Sequence, residues 1–229
     1  MAPAAPGQTA RVLYLLHGNG GGFEEWSRSS PIAELATHGY VLVMPEGGSS
    51  YFMNSASRPQ DRYEDFLTRD LIADAEKGLV VERRAIVGVS MGGFAAIVLG
   101  FKHPELYGFV GALSPPVDAP ERGFVLRRWG QWRGFQTIFG PMGSATRRDN
   151  DPFVLVNKVD KWAGPIVFLS VGRDEPLRGV VKRFGEAMER QGVGYVFQEM
   201  PGGHDWGEWE KQLPRLEELL EARSWRREG

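Results

Sequence analysis

Apolar and polar positions along the chain fall into two alternating regimes. Short, nearly continuous apolar runs recur: RVLYLLHG, YVLVMPE, RRAIVGVS, YGFVGALSPP, PIVFLSVG and GYVFQEMPGG. Between them lie longer stretches with helical spacing. These are PIAELATHG after a Gly-rich loop, RYEDFLTRDLIADAEKGL, MGGFAAIVLGFKHPEL, PLRGVVKRFGEAMERQG and WEKQLPRLEELLEARSW. Runs that stay apolar at successive positions mark strands buried on both faces, and helices between such strands supply parallel crossovers. The pattern predicts an α/β fold, a mainly parallel sheet of about six strands with helices on both faces. Functional residues of such sheets gather at the carboxyl ends of the strands.

Residues 117–162 break the rhythm. Phe124, Trp129, Trp132, Phe135 and Phe139 stand there among Arg127, Arg128 and Arg133. A segment this long between two strands is a functional lid or a disordered insert, and its aromatic content argues against disorder. It is read as a cap inserted in one domain that spans residues 1–229, a length suited to one core rather than two. No repeat at a solenoid period is visible.

Composition narrows the function classes. A net charge of −2 supplies no basic field for nucleic acid or an anionic membrane. Cysteine is absent, which excludes disulfides, thiolate metal sites and Cys nucleophiles. The N-terminal residues lack the pattern of a secretory signal, and the run Val12 to Leu16 is too short to span a bilayer, so a cytoplasmic protein is expected.

The chemistry centres on Gly88-Val89-Ser90-Met91-Gly92. With 30 glycines in the chain the G-x-S-x-G pattern alone says little. Its place, at the end of a strand and the start of a helix, is that of a nucleophile elbow. A Ser hydroxyl needs a base, and the base needs an orienting carboxylate. His204, in the Gly-rich MPGGHDW after the last strand, is the candidate base. His38 lies at the wrong end of the sheet, His103 closes a helix, and His17 ends the first strand as a support residue. The acid lies in FLSVGRDEPL, which offers Asp174 and Glu175, with Glu175 slightly favoured.

The oxyanion of an acyl-transfer intermediate needs donors. The backbone N–H of Met91 is one by position, and Asn19 or Gly20 of HGNGGG is the second. That Gly-rich loop lacks the Lys-Ser/Thr of a P-loop and the full G-x-G-x-x-G spacing, so nucleotide binding is not the reading adopted. Tyr51, Trp129, Trp132 and Trp206 are candidate substrate contacts. Glu64 and Asp65 are read as carboxylates that open a helix.

At this point the chain resembles the α/β-hydrolase fold. More narrowly it is similar to the serine esterase family that includes tributyrin esterases, esterase D and the antigen 85 mycolyltransferases. The stretches that carry the likeness are LYLLHGNGG, YFMNSASRPQDRYEDFLTRDLI, VGVSMGGFAAIVLGFKHPELYG, DPFVLVNK and MPGGHDWGEW. The resemblance implies carboxylic-ester hydrolysis through a Ser90 acyl-enzyme with His204 as base, without metal or organic cofactor. The implied partner is a small-molecule ester, with short acyl chains expected. Thioesterase, acyltransferase, feruloyl or acetyl-carbohydrate esterase, and a non-catalytic scaffold are the alternatives. Family members commonly have two further strands before the HG loop, whereas about ten residues precede the strand that leads into it here. The N-terminal side of the sheet is therefore reduced, leaving an edge strand exposed or covered by a second copy in a homodimer.

Overall fold

β1 (Thr9–Leu16) opens the sheet, and TARVLYLL is buried from Val12 onward. These details come from a computed structural model that describes residues 9–124 and 129–222. α1 (Glu25–Ser29) follows, then a 3₁₀ segment over Pro31–His38 and β2 (Tyr40–Val43). The expected helical stretch is 3₁₀ and is preceded by the short α1, which ends before Pro31 because proline lacks the N–H that would continue the ladder. α2 (Tyr63–Asp65) and α3 (Leu71–Ala75) flank a π-helical stretch at Phe66–Asp70. β3 (Val80–Val89) then leads into α4 (Met91–Lys102), followed by β4 (Phe109–Leu113).

α5 (Trp129–Phe139), α6 (Ala145–Asp149) and α7 (Pro152–Leu155) lie between β4 and β5 (Ile166–Gly172). The chain ends with α8 (Arg178–Gln191), β6 (Tyr195–Met200), α9 (Trp206–Trp209) and α10 (Leu213–Glu221). Residues 125–128 of the 117–162 segment lie outside the described residues.

The sheet has six strands in the order β2-β1-β3-β4-β5-β6, and every pair is parallel. Parallel pairing leaves both faces to be covered, and alternation along each strand divides its residues between two cores. Val12, Tyr14 and Leu16 of β1 face the side packed by α4 and α8. Leu13 and Leu15 face the side covered by Trp26, Ile32, Leu35 and α10. β2 is an edge strand of four residues, a length that limits further strand addition. Among the described residues, no helix is long and apolar enough to cross a membrane.

Candidate active site

β3 runs directly into α4, and Ser90 is the single residue at the corner, with φ 51° and ψ −116°. Few non-glycine residues occupy this region, and holding one there costs of order 1–3 kcal/mol. The glycines on either side make the corner sterically feasible. A Cβ on Gly88 would lie 2.2 Å from the backbone of Gly92, and one on Gly92 would lie 2.3 Å from the Leu16 carbonyl oxygen. The Ser90 N–H donates to the Leu113 carbonyl at 2.8 Å, which ties the corner to the end of β4. Met91 is the first residue of α4, so its N–H has no intrahelical acceptor.

The loop after β6 brings His204 to this corner. His204 Nε2 lies 2.8 Å from Ser90 Oγ, and Nδ1 lies 2.7 Å from Glu175 Oε2. Facing a carboxylate, Nδ1 carries the proton and donates it, which leaves Nε2 to accept from the Ser90 hydroxyl. The Glu175 side chain is fully buried. Its second oxygen accepts from the Gly172 N–H at 2.8 Å and from the Ser114 hydroxyl. Trp209 Nε1 donates to Ser114 Oγ at 2.9 Å, and the Trp209 ring meets the imidazole edge-on at 5.1 Å. Asp174, the other candidate, is exposed and makes no side-chain hydrogen bond to His204. Of the two carboxylates, the geometry brings Glu175 to the histidine.

The loop after β1 forms the opposite side of the corner. Gly18 abuts Ser90, since a Cβ there would lie 3.7 Å from that of the serine. Asn19 and Gly20 follow and are exposed. His17 is buried: its Nδ1 bonds the Gly18 carbonyl at 2.8 Å, and its Nε2 accepts from the Gly47 N–H at 2.9 Å. It therefore pins the β1 loop to the β2 loop, the support position expected of it. Glu25 holds the same loop from outside. One oxygen accepts from the Gly18 N–H at 2.7 Å, the other from Trp206 Nε1 at 3.1 Å. Gly21 packs directly on that carboxylate, so closely that a Cβ would lie 2.3 Å from an oxygen. Glu25 thus bridges the β1 loop and the His204 loop.

A cavity of about 650 Å³ opens beside His204. Trp132 and Phe135 of α5 form one wall, and Leu177, Val180 and Arg183 form the other. Of the candidate substrate contacts, Trp132 lines this cavity. The side chain of Trp129 lies outside the described residues. Tyr51 and Trp206 do not line this cavity. Tyr51 is buried with φ 56°, edge-on to Phe94, Phe135 and Phe139, and burial pushes its hydroxyl up to about 12. Trp206 packs edge-on against Trp26 and Trp209, beneath the His204 loop. A second cavity, about 270 Å³, lies on the other side of α5 against Met53, Tyr63 and Thr137.

Glu64 serves packing rather than the site, but not as a simple helix-opening charge. It is buried and accepts from Lys102 Nζ at 2.7 Å and pairs with His103 Nε2 at 3.1 Å. Burial acts against its ionised form, yet these two partners hold its carboxyl below the ordinary value. The residues that sequence reasoning overlooked are Glu25 and Ser114. In GGFEEW the glutamate looks like any first-turn carboxylate, and its one distinguishing mark is the nearby glycine that leaves it room.

Comparisons with known proteins bear on the whole chain. The family model described as "Putative esterase" matches residues 2–219. An acetyl esterase of Caldicellulosiruptor saccharolyticus is 25% identical over 224 residues, covering 93% of this chain and 84% of that protein. A diacylglycerol acyltransferase/mycolyltransferase, Ag85A, of Mycobacterium ulcerans is 29% identical over 172 residues, 67% of this chain. The matched region is 51% of that relative, so the chain spans about half its length. Among solved structures, the Staphylococcus aureus fluorophosphonate-binding serine hydrolase FphF superposes with a TM-score of 0.75 at 21% identity. That match covers 91% of this chain and 82% of the other, and it establishes the shared fold. The chain belongs to the Putative esterase family, and it is an ester-hydrolysing enzyme built on the α/β-hydrolase fold.

Proposed function

We propose that the protein is a serine carboxylesterase acting on short-chain acyl esters through Ser90, His204 and Glu175. The observation that carries this is the chain of two hydrogen bonds, 2.8 Å from Ser90 to His204 and 2.7 Å from His204 to Glu175. His204 Nε2 takes the hydroxyl proton as Ser90 Oγ attacks the ester carbonyl carbon. The buried Glu175 side chain orients the imidazolium and receives its Nδ1–H hydrogen bond. The Met91 N–H, with a donor from Asn19 or Gly20, stabilises the oxyanion; loss of one such donor costs about 3–4 kcal/mol. His204 then gives its proton to the leaving alcohol. Water attacks the acyl-enzyme by the same route and regenerates Ser90.

In this reading residues 117–162 act as a cap that shapes the substrate cavity, with Trp132 as its main contact. The test is a p-nitrophenyl ester series from acetate to palmitate on wild type and Ser90→Ala. Turnover that peaks at short chains and falls at least a thousandfold in the variant is expected. Equal turnover in both proteins overturns the assignment. Acyl transfer to an alcohol is the second reading, favoured by the relation to the mycobacterial acyltransferase. It is distinguished by adding glycerol and asking whether acylglycerol forms in place of free acid.

A further inference from the structure

Among the described residues, the cavity beside His204 is lined by one cation more than the carboxylate there pairs. Its walls carry two guanidiniums, Arg122 and Arg183, and one carboxylate, Asp118. Arg122 is committed: its Nη2 donates to Asp118 Oδ1 at 2.7 Å and its Nε at 3.1 Å. Arg183, one turn along α8 from Gly179, makes no hydrogen bond or ion pair among the described residues. Its neighbours on that helix are otherwise engaged, since Arg178 and Lys182 both reach Glu199, as does Arg173. The smaller cavity across α5 is balanced by contrast, for its Arg58 and Asp61 pair with each other at 3.7 Å.

A cavity that reaches His204, with Trp132, Phe135, Leu177 and Val180 in its walls and an unpaired guanidinium beside them, matches a particular ligand shape. The matching molecule has an apolar spacer with an ester at one end and an anion at the other. We infer that the natural substrate is an ester that carries a carboxylate or similar anion several bonds from the scissile carbonyl, and that Arg183 binds it. This rests on the esterase reading and adds the substrate class. Arg183 is solvent-accessible, so its charge is screened, and discrimination of about threefold to fivefold is the size to expect.

Two matched ester pairs test the inference and locate the anion. Methyl hydrogen adipate against methyl hexanoate places the charge on the acyl side, and 4-acetoxybenzoate against phenyl acetate places it on the alcohol side. Each pair is run at low ionic strength on wild type, Arg183→Gln, Arg183→Lys and Arg190→Gln. In one pair, wild type is expected to show a kcat/KM about threefold to fivefold higher for the anionic member. The ratio falls to one or below in Arg183→Gln, survives in Arg183→Lys and is unchanged in Arg190→Gln, which alters the same helix's charge away from the cavity. Preference for the neutral ester in both pairs overturns the inference, as does an anionic preference equal in wild type and Arg183→Gln. Both results leave the esterase reading standing. No turnover of any ester, together with no labelling of Ser90 by a fluorophosphonate, removes that reading and this inference with it.

Discussion

The two walls of the active-site region, the strand ends around His204 and the α5 segment facing them, are held together by different physics. On the strand-end side, polar groups are paired several times over. Glu175 meets three donors, Ser114 joins it to Trp209, and Glu25 ties the β1 loop to Trp206. On the α5 side, the contacts are aromatic edges: Phe135 and Phe139 against Tyr51, and Phe139 against Phe94. Its polar anchors are fewer: the buried Arg147 donates to the carbonyls of Gly140 and Pro120, and the Ser55 hydroxyl and Ala56 N–H donate to the carbonyls of Thr137 and Ile138. Hydrogen bonds fix direction as well as distance, whereas aromatic edges tolerate sliding. The first wall is suited to hold reacting atoms, and the second to set which substrate fits. Substitutions on the first should lower kcat, and those on the second should change KM or stability.

The sharpest way to break this division is Glu175→Gln. The amide oxygen replaces the acceptor for Gly172 and Ser114, which turns the NH₂ toward His204 and forces the imidazole to present a lone pair there. Nε2 is then protonated and no longer accepts from Ser90. A fall in kcat of about 10⁴ with little change in KM is expected. Asp174→Asn, at the adjacent but exposed residue, should stay within twofold of wild type by roughly the scatter of surface substitutions. A comparable loss in Asp174→Asn, measured in the same ester assay, would reverse the choice of acid.

On the other wall the largest effect is predicted at Phe139, which is fully buried, edge-on to Tyr51 and Phe94 and tilted against Phe135. Phe139→Ala should cost about 3–5 kcal/mol in denaturant unfolding. The kcat of the molecules that remain folded should stay near wild type, because no bond to Ser90, His204 or Glu175 is touched. A collapse of kcat at constant stability would mean that α5 positions the chemistry, contrary to the division drawn above.

How much of this was legible in the sequence depends on the range of the interaction. The six strands announce themselves because burial on both faces demands apolar residues at nearly every position, and all six occur where those runs lie. Ser90 was legible because its corner needs glycine at Gly88 and Gly92, a local steric requirement that leaves a local motif. The residues brought to it from afar were legible only in part. His204 stood out by its glycine-rich loop, but choosing between Asp174 and Glu175 needed the direction of a side chain, which adjacent residues in a turn do not encode. Ser114 left no mark and Glu25 only a nearby glycine, since a serine before two prolines and a glutamate in a helix's first turn have ordinary local explanations. The π-helical stretch at Phe66–Asp70 is likewise invisible in a periodicity of helical apolar residues.

Glu25 offers a subtler test of the well-bonded wall. Glu25→Gln leaves one acceptor oxygen where two donors, the Gly18 N–H and Trp206 Nε1, now have one each. One of the two loops must lose its anchor. If the β1 loop loosens, an oxyanion donor is displaced, and kcat should fall by about tenfold with KM nearly constant, less than the outright loss of a donor. Trp206→Phe removes only the second bond and should cost less. Unchanged kcat in Glu25→Gln, in protein of normal melting temperature, would show that the glycine loop is held well enough by His17 alone.

The smallest effect expected is also the one that marks where this wall is imperfect. Glu208, in the short helix that follows His204, is buried, one oxygen bonded to Gln212 and the other without a partner among the described residues. Burial, with Glu175 and Asp205 nearby, raises its carboxyl above the ordinary value. A raised acid favours the protonated form in the folded state, so its ionisation opposes folding. Below the ordinary carboxylate range both folded and unfolded chains carry the proton and no penalty arises. As pH rises, the unfolded chain ionises first, and stability is lost until the folded-state value is passed. Glu208→Gln should therefore raise the melting temperature at neutral pH, by roughly 2 °C, with the gain shrinking to nothing as pH falls through the carboxylate range. A gain that persists at low pH would trace the effect to hydrogen bonding with Gln212 instead of charge. A loss at neutral pH would mean that the ionised Glu208 contributes favourably to the loop that carries His204.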